Sequence, residues 1–500
     1  MLNLFQRFKK VSSFQGCPRV SYIWSSSLQR FSDELPSNIG RSSMVHGLIH
    51  SLGMLDFSQY DEAKLEKDGE NDMEEEESMN TQKIDHYEQK QPSQVLTGLA
   101  NGSNERKAIV RKPDTSLGTK ASLLGYHDKL YIEQLLKADV NNFLNDSDRP
   151  PSSASSTSST SSSPRMIKRT ESYNLSYDNP LFPSLPSYIC LVASATSTAC
   201  RLLAQDKTDW ALCWDGGRHH AKRKEAGGFC YVNDLVLGAL LLCREGRLSV
   251  PVKEGERTKT RPPRILYLDM DLHYGDGVAA AFHSPTVYPF PIPENSLLPK
   301  PPNVLTLSVH HSSPIFFPPP TPLSLLPSPD TQSPFSLSIP LSAYPTRSTY
   351  QDVFTRCIQP IQKAWNPDYV IVQLGTDGLP ADRVGRYGNW SVEGQGGMKW
   401  MMGKIRQWNT KICVTGGGGY QHDNAARAWA EVTALIIGRP LEEDMAVPHH
   451  EHFEQYAPSF TMQIPEGHMR DENTKEGLDN AAKVYAVLAE RIKAIVQAHS

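Results

Sequence analysis

RILYLDMDLHYGDG, Arg264 to Gly277, runs from an apolar strand straight into residue types that ligate metals. Ile265 to Leu268 follow a Pro-Pro break and are apolar on both faces, as a strand buried inside a parallel sheet must be. Asp269, Asp271 and His273 then alternate. If the extended conformation persists, period-two geometry puts Asp271 and His273 on one side, where they can grip one ion. Carboxylate plus imidazole suits zinc, iron or manganese, and a third protein ligand with an open position would make the ion catalytic. A calcium loop is the rival for an Asp-x-Asp pattern, but it needs Gly at its sixth position and Glu at its twelfth. Tyr274 and Ala280 stand there instead.

The third ligand follows from the strand pattern. Four apolar runs end in polar or Gly-rich loops: WALCW before Gly216, ILYL before Asp269, YVIVQLG before Asp377, and KICVT before Gly416. Strands and helices alternate between them, the pattern of an α/β doubly wound sheet, in which ligands bind off the carboxyl ends of the strands. Those loops can meet in space, and Asp377 becomes the third metal ligand beside Asp271 and His273. His219 and His220 supply acid/base groups near neutral pH, and Asp269 and Asp276 can orient the two rings. Gly416 to Gly419 lack the Lys-Ser/Thr of a phosphate loop, so the informative residue is Tyr420, a phenol able to donate to a developing oxyanion. Phe229 and Phe317 adjoin these loops and can wall a narrow channel.

Composition limits the rest. Five hundred residues suit one large α/β domain or two to three smaller ones. No long uninterrupted apolar run stands out, so the chain reads as soluble, with no membrane span. Net charge is −4, which gives no global basic field for nucleic acid. The eight cysteines include no CxxC pair and read as reduced thiols. Residues 1–17 are basic and read as a solvated N-terminal tail rather than a transit peptide, because strand-like PRVSYIW begins at Pro18. Residues 18–496 form the domain, with insertions expected at 56–119, 146–170, 252–262, 288–302 and 318–334 from their charge, Ser or Pro content. Residues 497–500 are a C-terminal tail.

GGRHHAKRKEAGGFCYVND, LYLDMDLHYGDGV, LSVHHSSPIFFP, QLGTDGLPADRVG and GGGGYQHDNAARAW, in that order, resemble the motifs of the class I zinc-dependent histone deacetylases. RSSMVHGLIHSL, LLGYHDKLYIEQLL, SYDNPLF and PHHEHFEQYAPSF extend the resemblance over most of the chain. It implies an arginase/deacetylase fold with a central, mostly parallel sheet of about eight strands. It also implies hydrolysis of N-ε-acetyl-lysine on histones or other proteins, in the nucleus, with transcriptional repression as the outcome. By the same resemblance, one zinc sits on Asp271, His273 and Asp377, His219 and His220 are the acid/base pair backed by Asp269 and Asp276, and Tyr420 polarises the acetyl carbonyl. Gly228 accepts from the substrate amide, Phe229 and Phe317 clasp the lysine stem, and Asp178 holds the substrate backbone. Val384 lines the channel, and Arg41 lies by an internal acetate pocket. A structural potassium ion is implied near Asp269, Asp271, His273, Ser308 and Val309. Acetylated histone tails and corepressor proteins are the implied partners, with no direct nucleic acid and no membrane.

The departures are Tyr274 for a His, FFPPP for FFPGTG, Val384 for Leu, and Asp423 where corepressor-bound members carry an Arg that grips an inositol phosphate. Arg383 is kept, but a carboxylate in an anion site repels, so inositol phosphate is not expected to be required. An acetylpolyamine or other small-amide hydrolase is the alternative within the same fold. A catalytically silent scaffold is the alternative outside it, disfavoured because every expected catalytic position is filled.

Overall fold

The apolar run after Pro263 forms a strand, β7, and so do the other three runs that precede the candidate loops. The computed structural model describes residues 18–60, 105–137, 173–250, 259–293, 297–328, 330, 333–442 and 444–499. In chain order the strands are β1 Val20–Ile23, β2 Leu55–Asp56, β3 Ala108–Arg111, β4 Trp210–Cys213, β5 Leu248–Val250, β6 Lys259–Arg261, β7 Ile265–Asp269, β8 Val304–His311, β9 Ser336–Leu341, β10 Tyr369–Gln373 and β11 Lys411–Thr415. Nine of them make one sheet in the order β2-β3-β1-β4-β11-β10-β7-β8-β9. Every pairing in it is parallel. The remaining pair, β5 and β6, is a separate antiparallel ribbon.

An all-parallel sheet needs cover on both faces, and the strand residues divide accordingly. Leu266, Leu268, Val370 and Val372 pack into one core with helices Arg41–Ser51, Met398–Arg406, His422–Ile437 and Lys475–Ala498. Ile265, Tyr267, Tyr369 and Ile371 pack into the other with Leu185–Ala204 and Asp234–Glu245. Ile371 is wholly buried, and truncating such a side chain to Ala destabilises a fold by roughly 2–5 kcal/mol. Register then sets the working edge. Asp269 is level with Ser308 on one side and Gln373 on the other, Gln373 with Thr415, and Thr415 with Cys213. Four strands, β4, β11, β10 and β7, therefore end together while β8 runs on to His311, and the loops that follow the four are forced into one place.

Several expectations are adjusted. The α/β class is borne out, with nine strands rather than about eight, because the two-residue β2 adds an edge beyond β3. The insertion expected over 56–119 runs too far: AIVR, flanked by lysines, is a strand paired to both β1 and β2. Part of the 252–262 segment is β6, and the last helix reaches Ala498, past the expected boundary. The tail 1–17 and the segments 61–104, 146–170 and 252–258 lie outside the described residues. One helix, Leu185–Ala204, is long and apolar enough to cross a membrane by length and composition, which the sequence reading passed over. It packs instead against β1, β4, β11 and helix Asp234–Glu245, and most of it is buried.

Candidate active site

β7 stops at Asp269 because its side chain begins to organise the next turn. Its carboxylate accepts from the Tyr267 hydroxyl (2.7 Å), the Asp271 N–H (3.2 Å) and one ring nitrogen of His219 (2.9 Å). The chain does not stay extended beyond this point, so Asp271 and His273 do not meet by strand alternation. They meet through a turn in which Asp271 Oδ1 accepts the His273 N–H (3.1 Å). Asp377, at the end of the β10 loop, receives the Leu272 N–H (3.0 Å) and lies 2.7 Å from His273 Nδ1. One ligand atom from each of Asp271, His273 and Asp377 lies within 4.8 Å of the others, and all three residues are buried.

The donor set fits a divalent cation. Two carboxylates and an imidazole match borderline metals, and two buried carboxylates this close repel without one. Burial and the neighbouring Asp271 carboxylate together push the Asp377 carboxyl well above the usual carboxylate range. The wall behind the donors is bare backbone. The Gly418 N–H donates to Asp271 Oδ2 (2.7 Å), and a Cβ on Gly418 would sit 2.2 Å from Asp377 Oδ2. Gln373 completes the wall by donating Nε2–H to Asp271 Oδ2 at 2.7 Å. Phe316 stacks on the His273 ring at 4.5 Å.

His219 and His220 lie beside this cluster with their Nε2 atoms 2.9 Å apart, close enough for one ring to donate to the other. The far nitrogens are fixed by carboxylates, His219 Nδ1 by Asp269 and His220 Nδ1 by Asp276 at 2.8 Å. Burial opposes charge on His219, but Asp269 and Asp271 outweigh it and push it up to about 9. Burial and the charge on His219 hold His220 down to about 4. The surroundings therefore favour charge on His219 and a neutral ring at His220. Asn233 and Asp234 hold the loop that carries them. Asn233 caps helix Asp234–Glu245 and donates to the carbonyls of His219 and Ala221, while Asp234 accepts the N–H groups of Gly217 and Arg218.

Tyr420 follows the glycine run and packs edge-on against Phe229 (5.5 Å). Burial, with Asp377 and Asp271 nearby, raises its phenol well above the usual range, so it stays protonated and can donate. Its backbone is set by Asp382, which accepts the N–H groups of Tyr420 (2.6 Å), Gln421, Val384 and Gly385. Gly228, at φ +49°, has no room for a side chain: a Cβ would meet the His220 ring at 2.2 Å and Phe317 at 2.8 Å. Phe317 lies edge-on to His220 (4.9 Å). Asp178 is exposed, on a loop that Asn174 ties to the Ala226 carbonyl. Arg41 is buried and donates to the carbonyls of Gly417 and Gly419. Ser308 and Val309 are buried on β8.

All the residues singled out from sequence therefore come to this edge of the sheet or the loops around it. Gln373, Asp382, Asn233, Asp234 and Arg218 were missed. Each acts on backbone or on another side chain, and only their positions beside the recognised motifs hinted at it.

Comparison with known proteins points to one family. A family model described as the histone deacetylase domain matches residues 86–436. Histone deacetylase 8 of Xenopus laevis is 34% identical over 305 residues, which cover 61% of this chain and 82% of the relative. Histone deacetylase 9 of Arabidopsis thaliana is 32% identical over 303 residues, covering 61% of this chain and 62% of the relative. Histone deacetylase RPD3 of Saccharomyces cerevisiae is 31% identical over 362 residues, covering 72% of this chain and 70% of the relative.

The chain belongs to the histone deacetylase family.

The family match contains the three candidate ligands, both histidines and Tyr420. It stops before helix Lys475–Ala498, which nevertheless packs into one of the two cores.

Proposed function

We propose that this chain hydrolyses the acetyl amide of N-ε-acetyl-lysine on histones or other proteins, with one zinc ion held by Asp271, His273 and Asp377. The observation that carries the reading is the position of a carboxylate-backed histidine pair beside a buried three-donor cluster, with a protonated Tyr420 closing the same site. When bound, zinc would supply the Lewis acidity that activates water and polarises the acetyl carbonyl. The other roles fall to side chains. The histidine pair would take the proton that water gives up and return it to the lysine nitrogen as the amide breaks. Asp269 and Asp276 keep the two rings in the tautomers this transfer needs. Tyr420 would donate to the oxygen as negative charge develops on it.

Around that centre, the Gly228 carbonyl would accept the substrate amide N–H, and Phe229 and Phe317 would clasp the apolar lysine stem beside Val384. Asp178 would take the substrate backbone at the surface, and Arg41 would hold the acetate released. A potassium ion near Asp269, Asp271, His273, Ser308 and Val309 would be structural. Chromatin repression in the nucleus with corepressor partners, and without an inositol phosphate requirement, completes the proposal, on the strength of the family relationship and of Asp423. The test is acetate release from an acetyl-lysine histone peptide, with and without chelation, alongside Tyr420→Phe. Chelation should abolish turnover, and Tyr420→Phe should lower kcat by about 10²–10³ with the fold intact. Turnover of acetylspermidine in preference to any acetyl-lysine peptide would move the assignment to a small-amide hydrolase.

A further inference from the structure

Phe317 to Pro322, FPPPTP, leaves the channel wall as a run whose prolines the site described above does not use. Its conformation follows from its residue types. Proline fixes φ at about −65°, and a residue that precedes proline is held out of the helical region, so Pro318, Pro319 and Thr321 are confined to polyproline II or extended backbone. No helix or strand forms from Pro319 to Thr321. Two anchors hold the run between them. On one side Phe316 stacks on His273 and Phe317 lies edge-on to His220. On the other, the Thr321 N–H donates to Ser324 Oγ (2.8 Å), and the Leu323 carbonyl accepts from Tyr274 (3.1 Å) and Ser338 (2.7 Å).

Between the anchors the run faces water. Pro319, Pro320, Thr321 and Pro322 are exposed, and so are Ile315 (85%), Phe317 (39%) and Leu325 (49%) around them. Among the described residues, the carbonyls of Pro318, Pro319 and Pro320 accept no hydrogen bond. Polyproline II turns once in about three residues, so Pro319 and Pro322 stand on one side, each completing an X-Pro pair with the residue before it. That spacing, a stiff backbone and a row of free acceptors are what aromatic-lined grooves read in proline-rich ligands. Charge narrows the kind of groove. No Lys or Arg stands between Lys300 and Arg347, so a groove that depends on an acidic pocket for a flanking cation finds none here. The run is also a departure from the family pattern, FFPPP standing for FFPGTG, so nothing shared by the family accounts for it.

We propose that Phe317 to Pro322 docks a proline-reading module of another protein, one with an uncharged, aromatic-lined groove of the EVH1 type, and that the docked module blocks the channel mouth. The block follows from Phe317, which is the first residue of the docking run and, in the reading above, one wall of the lysine channel. The block therefore rests on the lysine-deacylase reading, and the docking does not. Because the prolines are already extended, docking orders little of the chain and loses little entropy.

In the experiment, the full chain is titrated with a purified EVH1 domain by calorimetry, and the same mixtures are assayed on an acetyl-lysine peptide. Saturable binding is expected. The double variant Pro319→Ala, Pro322→Ala should weaken it at least about tenfold and leave turnover without the domain unchanged. Turnover by wild type should fall in proportion to the fraction of chain bound. A synthetic peptide with the sequence of residues 315–324 should compete with the wild-type chain for the domain, which keeps the test independent of how the variant folds. No binding by wild type, no competition by the peptide, or full binding by the variant would overturn the docking. Saturating domain that leaves turnover untouched would overturn the block. No turnover before any domain is added, with binding intact, would overturn the deacylase reading instead.

Discussion

Asp382→Asn keeps the size and shape of a side chain whose two oxygens each receive two backbone N–H groups. Oδ1 takes Val384 (2.9 Å) and Gly385 (2.8 Å), and Oδ2 takes Tyr420 (2.6 Å) and Gln421 (3.2 Å). An amide has one acceptor oxygen, so whichever way it turns, two buried donors face an NH₂ group. Hydrogen bonds to a charged acceptor are worth about 1.5–3 kcal/mol each, and with some relaxation the loss should come to roughly 3 kcal/mol of stability. The same change frees one end of the link between the Val384 loop and the Tyr420 backbone. A shift of about 1 Å in a group that must meet a developing charge lowers rate about 10²-fold. Urea unfolding and steady-state kinetics on an acetyl-lysine peptide measure both, with kcat expected to fall far more than KM rises. A variant within about 0.5 kcal/mol of wild type, with kcat unchanged, would refute the reasoning that Asp382 positions Tyr420.

Three further outcomes follow from the same structure. Gln373→Ala removes the donor to Asp271 Oδ2 and should weaken metal affinity by about 10–100-fold, read by competition with a chromophoric chelator; unchanged affinity refutes the role. His127 is buried and neutral, with Nδ1 facing the Lys222 carbonyl and Nε2 accepting the Asn233 N–H, and burial lowers it to about 4. Its folded pKa lies below the unfolded value of about 6.5, so its contribution of roughly 3 kcal/mol is intact above pH 6.5 and lost as pH falls toward 4; His127→Asn should flatten that part of the stability profile, and superimposable profiles refute it. Inositol hexakisphosphate should leave turnover unchanged, because Asp423 is committed to Arg427 and offers an anion nothing; strong activation refutes this.

The candidate site residues were legible because strand ends announce them: each apolar run stops at a change to Asp, His or Gly, and parallel register brings those changes together. The residues that hold those candidates in place were not. Gln373 is the last residue of β10 and reads as an ordinary strand terminus, and Asp382 reads as a turn residue. Their importance lies in the partners the fold brings to them, the Asp271 carboxylate 102 residues from Gln373 and the Tyr420 N–H 38 residues from Asp382. The turn at Asp271 shows the same limit, since Asp271 and His273 were paired through an alternation that the chain does not maintain, and they come together through a turn instead. β3 was lost because four residues between lysines, with alternate ones only half-buried, carry too little apolar signal against a long polar flank.

Helix Leu185–Ala204 has a consequence for how the protein is made. It leaves the ribosome about 200 residues ahead of Lys411–Thr415, one of the strands that covers it. At ordinary synthesis rates that interval is roughly 10–40 s, during which an apolar helix of membrane-spanning length has no finished sheet to lie against. The nascent chain therefore passes through a stage at which chaperone capture or mistaken delivery to a bilayer competes with folding, and a truncation ending before Lys411 would make that stage permanent.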